Sequence, residues 1–532
     1  MPLTPLPPRR TVSSPSAHAS PTVRPRRGTS RRKAVSLAAL SLALVAAGSP
    51  PPEPLGIGDR LFPHLGNPGY DVSAYDISLT YRGDNRKPLD AVTVIDARPT
   101  RLLDRVNLDF SHGTVKSVLV NGEPARFASA EEDLVVTPEV PVAPGGPLRI
   151  TVRHTSDPRT PKEGEGAGGW VRTADGLAMA NQADAAHRVF PCNDHPSDKA
   201  RFTFRVTAPR ELTAVANGLQ VGRPRTAGTD TTWTYKGAHP MATELAQVTI
   251  GDSAVPRRTG PHGLPLRDVV PAKDRDVLEP WLKKTPDHIA WMEGKVGRYP
   301  FETYGVLVGE AKTGFELETQ TLSLFERHLF TDTRYPQWYV DSVLVHELAH
   351  QWFGDSVTPR TWSDLWLNEG HATWYEALFA QEHGDHPMEK RMRAAYTESD
   401  RWRAAGGPPA APGAPSPGQK ISIFRPVVYD GSALVLYALR EEIGEAAFGR
   451  LERSWVSHHR DSTATTADFT RLASGIAGRD LTAFFHGWLY AKRTPPMPGH
   501  PDWKTGKETA GAKGSTAAKN PPAEKSGGPA AF

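Results

Sequence analysis

The sequence predicts an α+β multidomain protein in which an all-β N-terminal domain, a sandwich or saddle, precedes a mostly helical domain. Two changes of pattern and the chain length predict it. From Gly66 to about Gly251, short alternating or β-branched runs such as "YDISLTY", "VKSVLV", "LRITVRH" and "ARFTFRVTAP" are separated by the turn pairs Asn121-Gly122, Gly145-Gly146 and Asn217-Gly218. From about Asp276 the apolar period becomes helical, in "VLEPWLKKTPDHIAWMEGKVG", Tyr339 to Phe353, Asp364 to His383, "SALVLYALREEIG" and "DLTAFFHGWLYAK". Gly354, Gly384 and Gly444 stand where helix C-terminal stops are expected. At 532 residues each part can bury its own core.

In chain order, residues 1–49 read as an export signal. Arg31-Arg32-Lys33 precedes the apolar run "AVSLAALSLALVAAGS", too short and too rich in small residues to span a bilayer. The expected mature protein is therefore secreted, with no stable membrane insertion; "SRRKAV" leaves the Sec and twin-arginine routes both open. Residues 50–65 read as a linker, 66–255 as the β domain, 256–498 as the helical domain and 499–532 as a disordered tail. Ala404 to Gln419 is a Pro/Gly/Ala loop. The first 49 residues hold eight Lys/Arg and no Asp/Glu. The remainder carries 55 basic and 59 acidic residues, so the basic pI of the whole chain gives no argument for nucleic acid. Cys192 is the single cysteine, which excludes an intrachain disulfide and a cysteine-based metal site.

The chemistry concentrates in "VLVHELAHQWFG", Val343 to Gly354. On a helix His346 and His350 project from one face a turn apart, the spacing at which two imidazoles share one zinc ion, with Glu347 beside the metal. The apolar Val343, Leu344, Leu348, Ala349, Trp352 and Phe353 make this helix largely buried, and buried histidines need partners. In "WSDLWLNEGHATWYEALF" Glu369 follows His350 after eighteen intervening residues, room for a loop and a return helix. Glu369 is then the third ligand, and three protein ligands leave a fourth position for water, the arrangement of a catalytic rather than a structural site. One zinc ion per chain is expected. His371 points away from Glu369, and His328, His458, His459 and His486 lack ligand spacing.

"HELAHQWFGD" followed by "DLWLNEGHATWYE" resembles the gluzincin aminopeptidases, over roughly Gly66 to Trp503. "VFPCNDHPSDKARFTF" is similar to a segment of that family's β domain, "GFELETQT" to its substrate-binding strand and "VVYDGSALVLYALR" to its tyrosine segment. The resemblance implies a thermolysin-like catalytic domain and a zinc-dependent aminopeptidase acting on peptides with a free N-terminus, in a short form without the family's large C-terminal helical domain. It implies Glu347 as general base, Tyr429 as donor to the oxyanion, and Glu318 as partner of the substrate's α-ammonium. Gln182 and Asp184, in "ANQADAAHRVFPCND", are implied to line the same subsite. Strand alternation places Glu316, Glu318 and Gln320 on one face. The sequence departs from the family at Phe315, Glu316 and Thr319, and at Gly431 and Ser432 after the tyrosine. Two other readings stay open here: a thermolysin-like endopeptidase, and a catalytically silent peptide-binding module. The sequence leaves the preferred residue and the oligomeric state open.

Overall fold

The computed structural model describes residues 53–159, 168–310, 313–414 and 423–506. The expected export signal, the loop positions 415–419 and the tail beyond 506 lie outside the described residues. Among the described residues no helix is long and apolar enough to cross a membrane.

The β domain is built on a nine-stranded sheet. At its centre Tyr70–Thr80 pairs antiparallel with Leu89–Pro99 and parallel with Arg201–Pro209. Alternation sends Tyr75, Ile77 and Leu79 inward. A four-stranded sheet follows the order Thr213–Ala216, Val248–Gly251, Leu177–Ala180, Gly169–Arg172, and a three-stranded one joins Val106–Asp109, Asp133–Thr137 and Arg126–Ala130. Their inward residues share one core that includes Phe190, Cys192, Phe202 and Met179.

Across the expected boundary at 255/256, Ser253–Ala254 pairs with Val270–Pro271. Beyond it, the parallel pair Val306–Gly309 and Ser323–Glu326 joins the two cores. Leu307 and Leu324 face the β-domain core, while Val306, Val308 and Phe325 face the helical core. A two-residue alternation thus fixes the segment that turns into the active site against both domains at once.

Ten helices follow among the described residues: α1 (Arg275–Leu282), α2 (Thr285–Val296), α3 (Arg327–Thr331), α4 (Gln337–Ala349), α5 (Trp366–Gly384), α6 (Met388–Gly406), α7 (Asp430–Ile443), α8 (Glu445–His458), α9 (Thr466–Ala477) and α10 (Thr482–Tyr490). The single helical run expected from Val277 to Gly297 is broken at Lys283–Lys284, since Pro286 has no N–H to continue the ladder. α5 runs through Gly384, and Asp385 at φ 56° takes the left-handed position instead. α6 has no counterpart in the sequence reading. Its apolar stripe is thin, yet Met388, Met392, Ala395 and Tyr396 keep the helical spacing and are buried.

Two segments expected to be free are packed. In the supposed 50–65 linker, Leu61, Phe62 and Leu65 form a small core with Ala183, Trp362, Leu365, Ile423, Val427 and Val428. Asp59 accepts hydrogen bonds from the Leu61 and Trp362 backbone N–H groups at 2.7 and 3.0 Å, and lies 3.2 Å from His195 Nε2. Burial would raise the Asp59 carboxyl, but the His195 bond and the backbone donors hold it at about 2. Part of the tail expected from 499 is packed as well. Trp503 is buried, stacks on Tyr437 at 5.8 Å, and belongs to the helical core. Leu61 is 1% exposed. Leu61→Ala should therefore cost about 2–5 kcal/mol of stability, read as a drop in the urea midpoint at unchanged m-value, where a free linker would give almost none.

Candidate metal centre and active site

α4 and α5 pack antiparallel: His350 meets Asn368, His346 meets Glu369 and Glu376, and Trp338 meets Gly384. The turn between them needs Gly354, whose φ is +127° and where a Cβ would stand 2.2 Å from Asn368 Oδ1. This packing directs three side chains at one point. Glu369 Oε2 lies 3.5 Å from His346 Nε2 and 3.5 Å from His350 Nε2. Those distances are too long for hydrogen bonds, and Glu369 Oε2 is buried with no hydrogen-bond partner. Donor atoms around a tetrahedral zinc ion at 2.0–2.1 Å stand about 3.3–3.4 Å apart, so the trio fits that ion.

The outer nitrogens set the tautomers. His346 Nδ1 lies 3.1 Å from Glu376 Oε2. His350 Nδ1 faces the Phe353 carbonyl oxygen at 3.1 Å and Asn368 Oδ1. All three partners accept, so both Nδ1 atoms carry the proton and both Nε2 lone pairs face the gap. Glu376 is held in turn by Arg391 at 2.8 Å, and Arg391 by Asp430 at 2.7 Å. Burial would raise Glu376. The Arg391 charge overturns this, leaving it at about 2.

Glu347 is buried beside the trio, its Oε2 without a hydrogen-bond partner. Burial pushes it up to about 8, with Glu318 and Glu369 adding to the rise and the two imidazoles opposing it. Glu318, 2% exposed, accepts from Gln182 Nε2 at 2.7 Å and Asn368 Nδ2 at 3.1 Å. Oxygen and nitrogen atoms of Glu318, Glu347 and His350 fall within 4.8 Å of one another, as do those of His346, His350 and Glu369. Tyr429 immediately precedes α7, its ring 6.1 Å from that of His346. Burial and then Glu369, Glu318 and Glu347 keep its hydroxyl protonated, well above the usual tyrosine range. The departure at Ser432 has a packing reason: α5 and α7 touch there, with Ser432 Cβ only 2.7 Å from where a Cβ of Gly370 would lie.

The structure thus brings His346, His350, Glu369, Glu347, Glu318, Gln182 and Tyr429 together. Asp184 lies on the same loop as Gln182, its carboxylate 3.8 Å from Arg188. The regular strand expected through "GFELETQT" is absent; a lone bridge joins Leu317 to Leu324, and the chain turns at Thr319–Leu322 with Thr321 at φ 67°. His371 is structural as expected, buried and stacked on Phe353 at 4.3 Å. The sequence reading missed Asn368, Glu376, Arg391 and Gln351, whose Nε2 donates to the Glu318 carbonyl at 3.0 Å. Glu376 was findable: seven positions after Glu369, it shares that residue's helix face.

Residues 282–488 match the Peptidase family M1 domain, and residues 173–245 the Peptidase M1 N-terminal domain. The chain is 26% identical to aminopeptidase N of Streptomyces lividans over 405 residues, 72% of this chain and 46% of that protein. It is 26% identical to human glutamyl aminopeptidase over 317 residues, 55% of this chain and 32% of that one. It therefore spans less than half the length of these relatives. The crystal structure of an M1 zinc metallopeptidase from Deinococcus radiodurans superposes with a TM-score of 0.72 at 29% identity, covering 83% of this chain and 98% of that one. A mutant M1 zinc metallopeptidase from the same organism, bound to a Tyr-Ser-Ala substrate, gives 0.70 at 28%, covering 84% and 100%.

Because Glu376 orients a ligand from behind, Glu376→Gln should weaken zinc affinity by about 10–100-fold while leaving the fold intact, measured by competition with a chromogenic chelator.

Proposed function

The chain belongs to the M1 family of gluzincin aminopeptidases, and from that premise we propose that it removes N-terminal residues from peptides by zinc-dependent hydrolysis. The observation that carries this reading is Glu318. A carboxylate almost fully buried, positioned by two neutral amides and set within reach of Glu347 and a metal ligand, is built to receive a cation that arrives with the substrate. A free α-ammonium is that cation, and holding it at Glu318 places the first peptide bond beside Glu347.

Zinc held by His346, His350 and Glu369 would polarise the scissile carbonyl and acidify water. The remaining work falls to the chain. Glu347, buried beside the trio with Oε2 free of any hydrogen-bond partner, takes a proton from the attacking water and delivers it to the departing amine. The Tyr429 hydroxyl, kept protonated, donates to the oxyanion that develops on the carbonyl carbon's oxygen. Gln182 reaches Glu318 from the β domain and fixes the rotamer of its carboxylate. Export by the N-terminal signal remains part of this proposal, with peptides outside the cytoplasm as substrates.

One fluorogenic peptide series with free and N-acetylated termini tests the reading. Free peptides should be cleaved and acetylated ones should not; equal cleavage of both would instead identify an endopeptidase. Glu347→Ala should abolish turnover with zinc still bound, and Tyr429→Phe should lower kcat by about a hundredfold with little change in KM.

A further inference from the structure

We propose that Arg391 is a positioning residue for the reaction. By bridging Glu376, behind the zinc ligand His346, to Asp430, beside Tyr429, it sets where the tyrosine hydroxyl stands relative to the metal trio. The inference rests on Tyr429 as donor to the oxyanion.

Tyr429 owes its place to the backbone that carries it. Its ring faces His346 at 6.1 Å and Phe424 at 6.5 Å, contacts too loose to fix a hydroxyl to within an ångström. The residue sits just outside α7, at φ −85° and ψ −94°, and its carbonyl accepts from the Ser432 and Ala433 N–H groups at 3.0 and 2.9 Å. The hydroxyl therefore follows the first turn of α7, which begins at Asp430.

Arg391 holds that turn from a fixed base. It lies in the first turn of α6 between Met388 and Met392, both buried in the helical core. Its Nε donates to Asp430 Oδ1 at 2.7 Å and its Nη1 to Glu376 Oε1 at 2.8 Å. The second oxygen of Glu376 accepts from His346 Nδ1 at 3.1 Å. One planar guanidinium thus serves two carboxylates, one tied to a zinc ligand and the other adjacent to the tyrosine. The Arg391, Glu376 and Asp430 side chains are 19%, 13% and 25% exposed, so these charge-assisted bonds are only weakly screened by water. A lysine would bring a point charge without the fork. Precision matters at this spot, because a misplacement of about 1 Å can cost about a hundredfold in rate.

The test is a double-mutant cycle on the full chain with one zinc ion bound. We expect Arg391→Met to lower kcat about tenfold with KM within about twofold, and to lower kcat by no more than about twofold once Tyr429 is already Phe. Binding of a Leu-Ala phosphonate, tetrahedral where the carbonyl is attacked, should weaken by the same factors in the same two backgrounds, read by calorimetry without turnover. Asp430→Ala, which cuts only the tyrosine side, should reproduce the cycle while zinc affinity, by chelator competition, stays within about threefold. Equal losses in both backgrounds, or a loss of zinc affinity in Asp430→Ala that accounts for its loss of kcat, would overturn the proposal. Should Arg391→Met fail to fold, the Asp430→Ala cycle decides alone. Undiminished kcat in Tyr429→Phe would sink the oxyanion-donor reading itself, whereas equal losses in both backgrounds spare that reading and remove only the part given to Arg391.

Discussion

The constraint on which the rest of this structure depends is the desolvation of charge between α4 and α5. Glu318, Glu347, Glu369 and Glu376 are all withdrawn from water around two imidazoles, and Arg391 is bonded to that group through Glu376. Burying a carboxylate without a counter-charge costs several kcal/mol, so this group of acids either takes up protons or draws cations from outside. The metal-sized gap between His346, His350 and Glu369 fits one such cation, and the proposed function supplies another in the substrate's ammonium. The surrounding protein can then be read as scaffolding for an incomplete charge set. Gly354 lets Asn368 approach, Gly370 lets α7 approach, and the chain Glu376–Arg391–Asp430 ties the metal side to the segment bearing Tyr429.

The β domain enters the chemistry through two contacts rather than by proximity alone. Gln182 crosses to Glu318, and the strands Val306–Gly309 and Ser323–Glu326 divide their alternate side chains between the two cores. Any slip of one domain on the other would move Glu318 relative to Glu347. The segment around Asp59 opposes such a slip. Leu61, Phe62 and Leu65 pack at once on Ala183, next to Gln182, on Val427 and Val428, next to Tyr429, and on Leu365, a turn before Glu369. A stretch that composition marks as linker is thus a clamp on three loops that supply active-site residues.

What was legible in the sequence follows from range. His346, Glu347 and His350 lie within one helical turn and Glu369 one loop away, so local periodicity sufficed to find the trio. The change from alternating to helical pattern likewise gave the order of the two domains. Clamp and second-layer residues were not legible in the same way. Leu61 finds Trp362 across three hundred positions, and no local pattern marks that pairing. Pro54 and the glycines around residue 57 read as linker, and the chain there has no regular structure; packing is what composition could not show. α6 escaped because its exposed face is so rich in Arg and Glu that the buried stripe of Met388, Met392 and Tyr396 was diluted. "GFELETQT" misled in the opposite sense: its alternation is real, yet the turn at Thr319–Leu322 ends pairing after a single bridge.

Asn368 couples the metal trio to the carboxylate proposed to anchor the substrate's amine. Its Oδ1 accepts from His350 while its Nδ2 donates to Glu318, so a single planar amide sets the spacing between a zinc ligand and the amine anchor. A flipped amide would turn its Nδ2 donors on the His350 Nδ1–H and its Oδ1 on the Glu318 carboxylate, so the two contacts together fix its orientation. Gln351, the next residue along, holds the Glu318 backbone through its own amide and is itself fixed by Tyr299 and the Thr321 N–H. The separation between where an ammonium can bind and where a carbonyl can be attacked is therefore fixed by two rigid amides rather than by flexible side chains. On the proposed reading, rigidity over that short span is what ties cleavage to the first peptide bond, because Gln182, Asn368 and Gln351 hold Glu318 at one distance from His350.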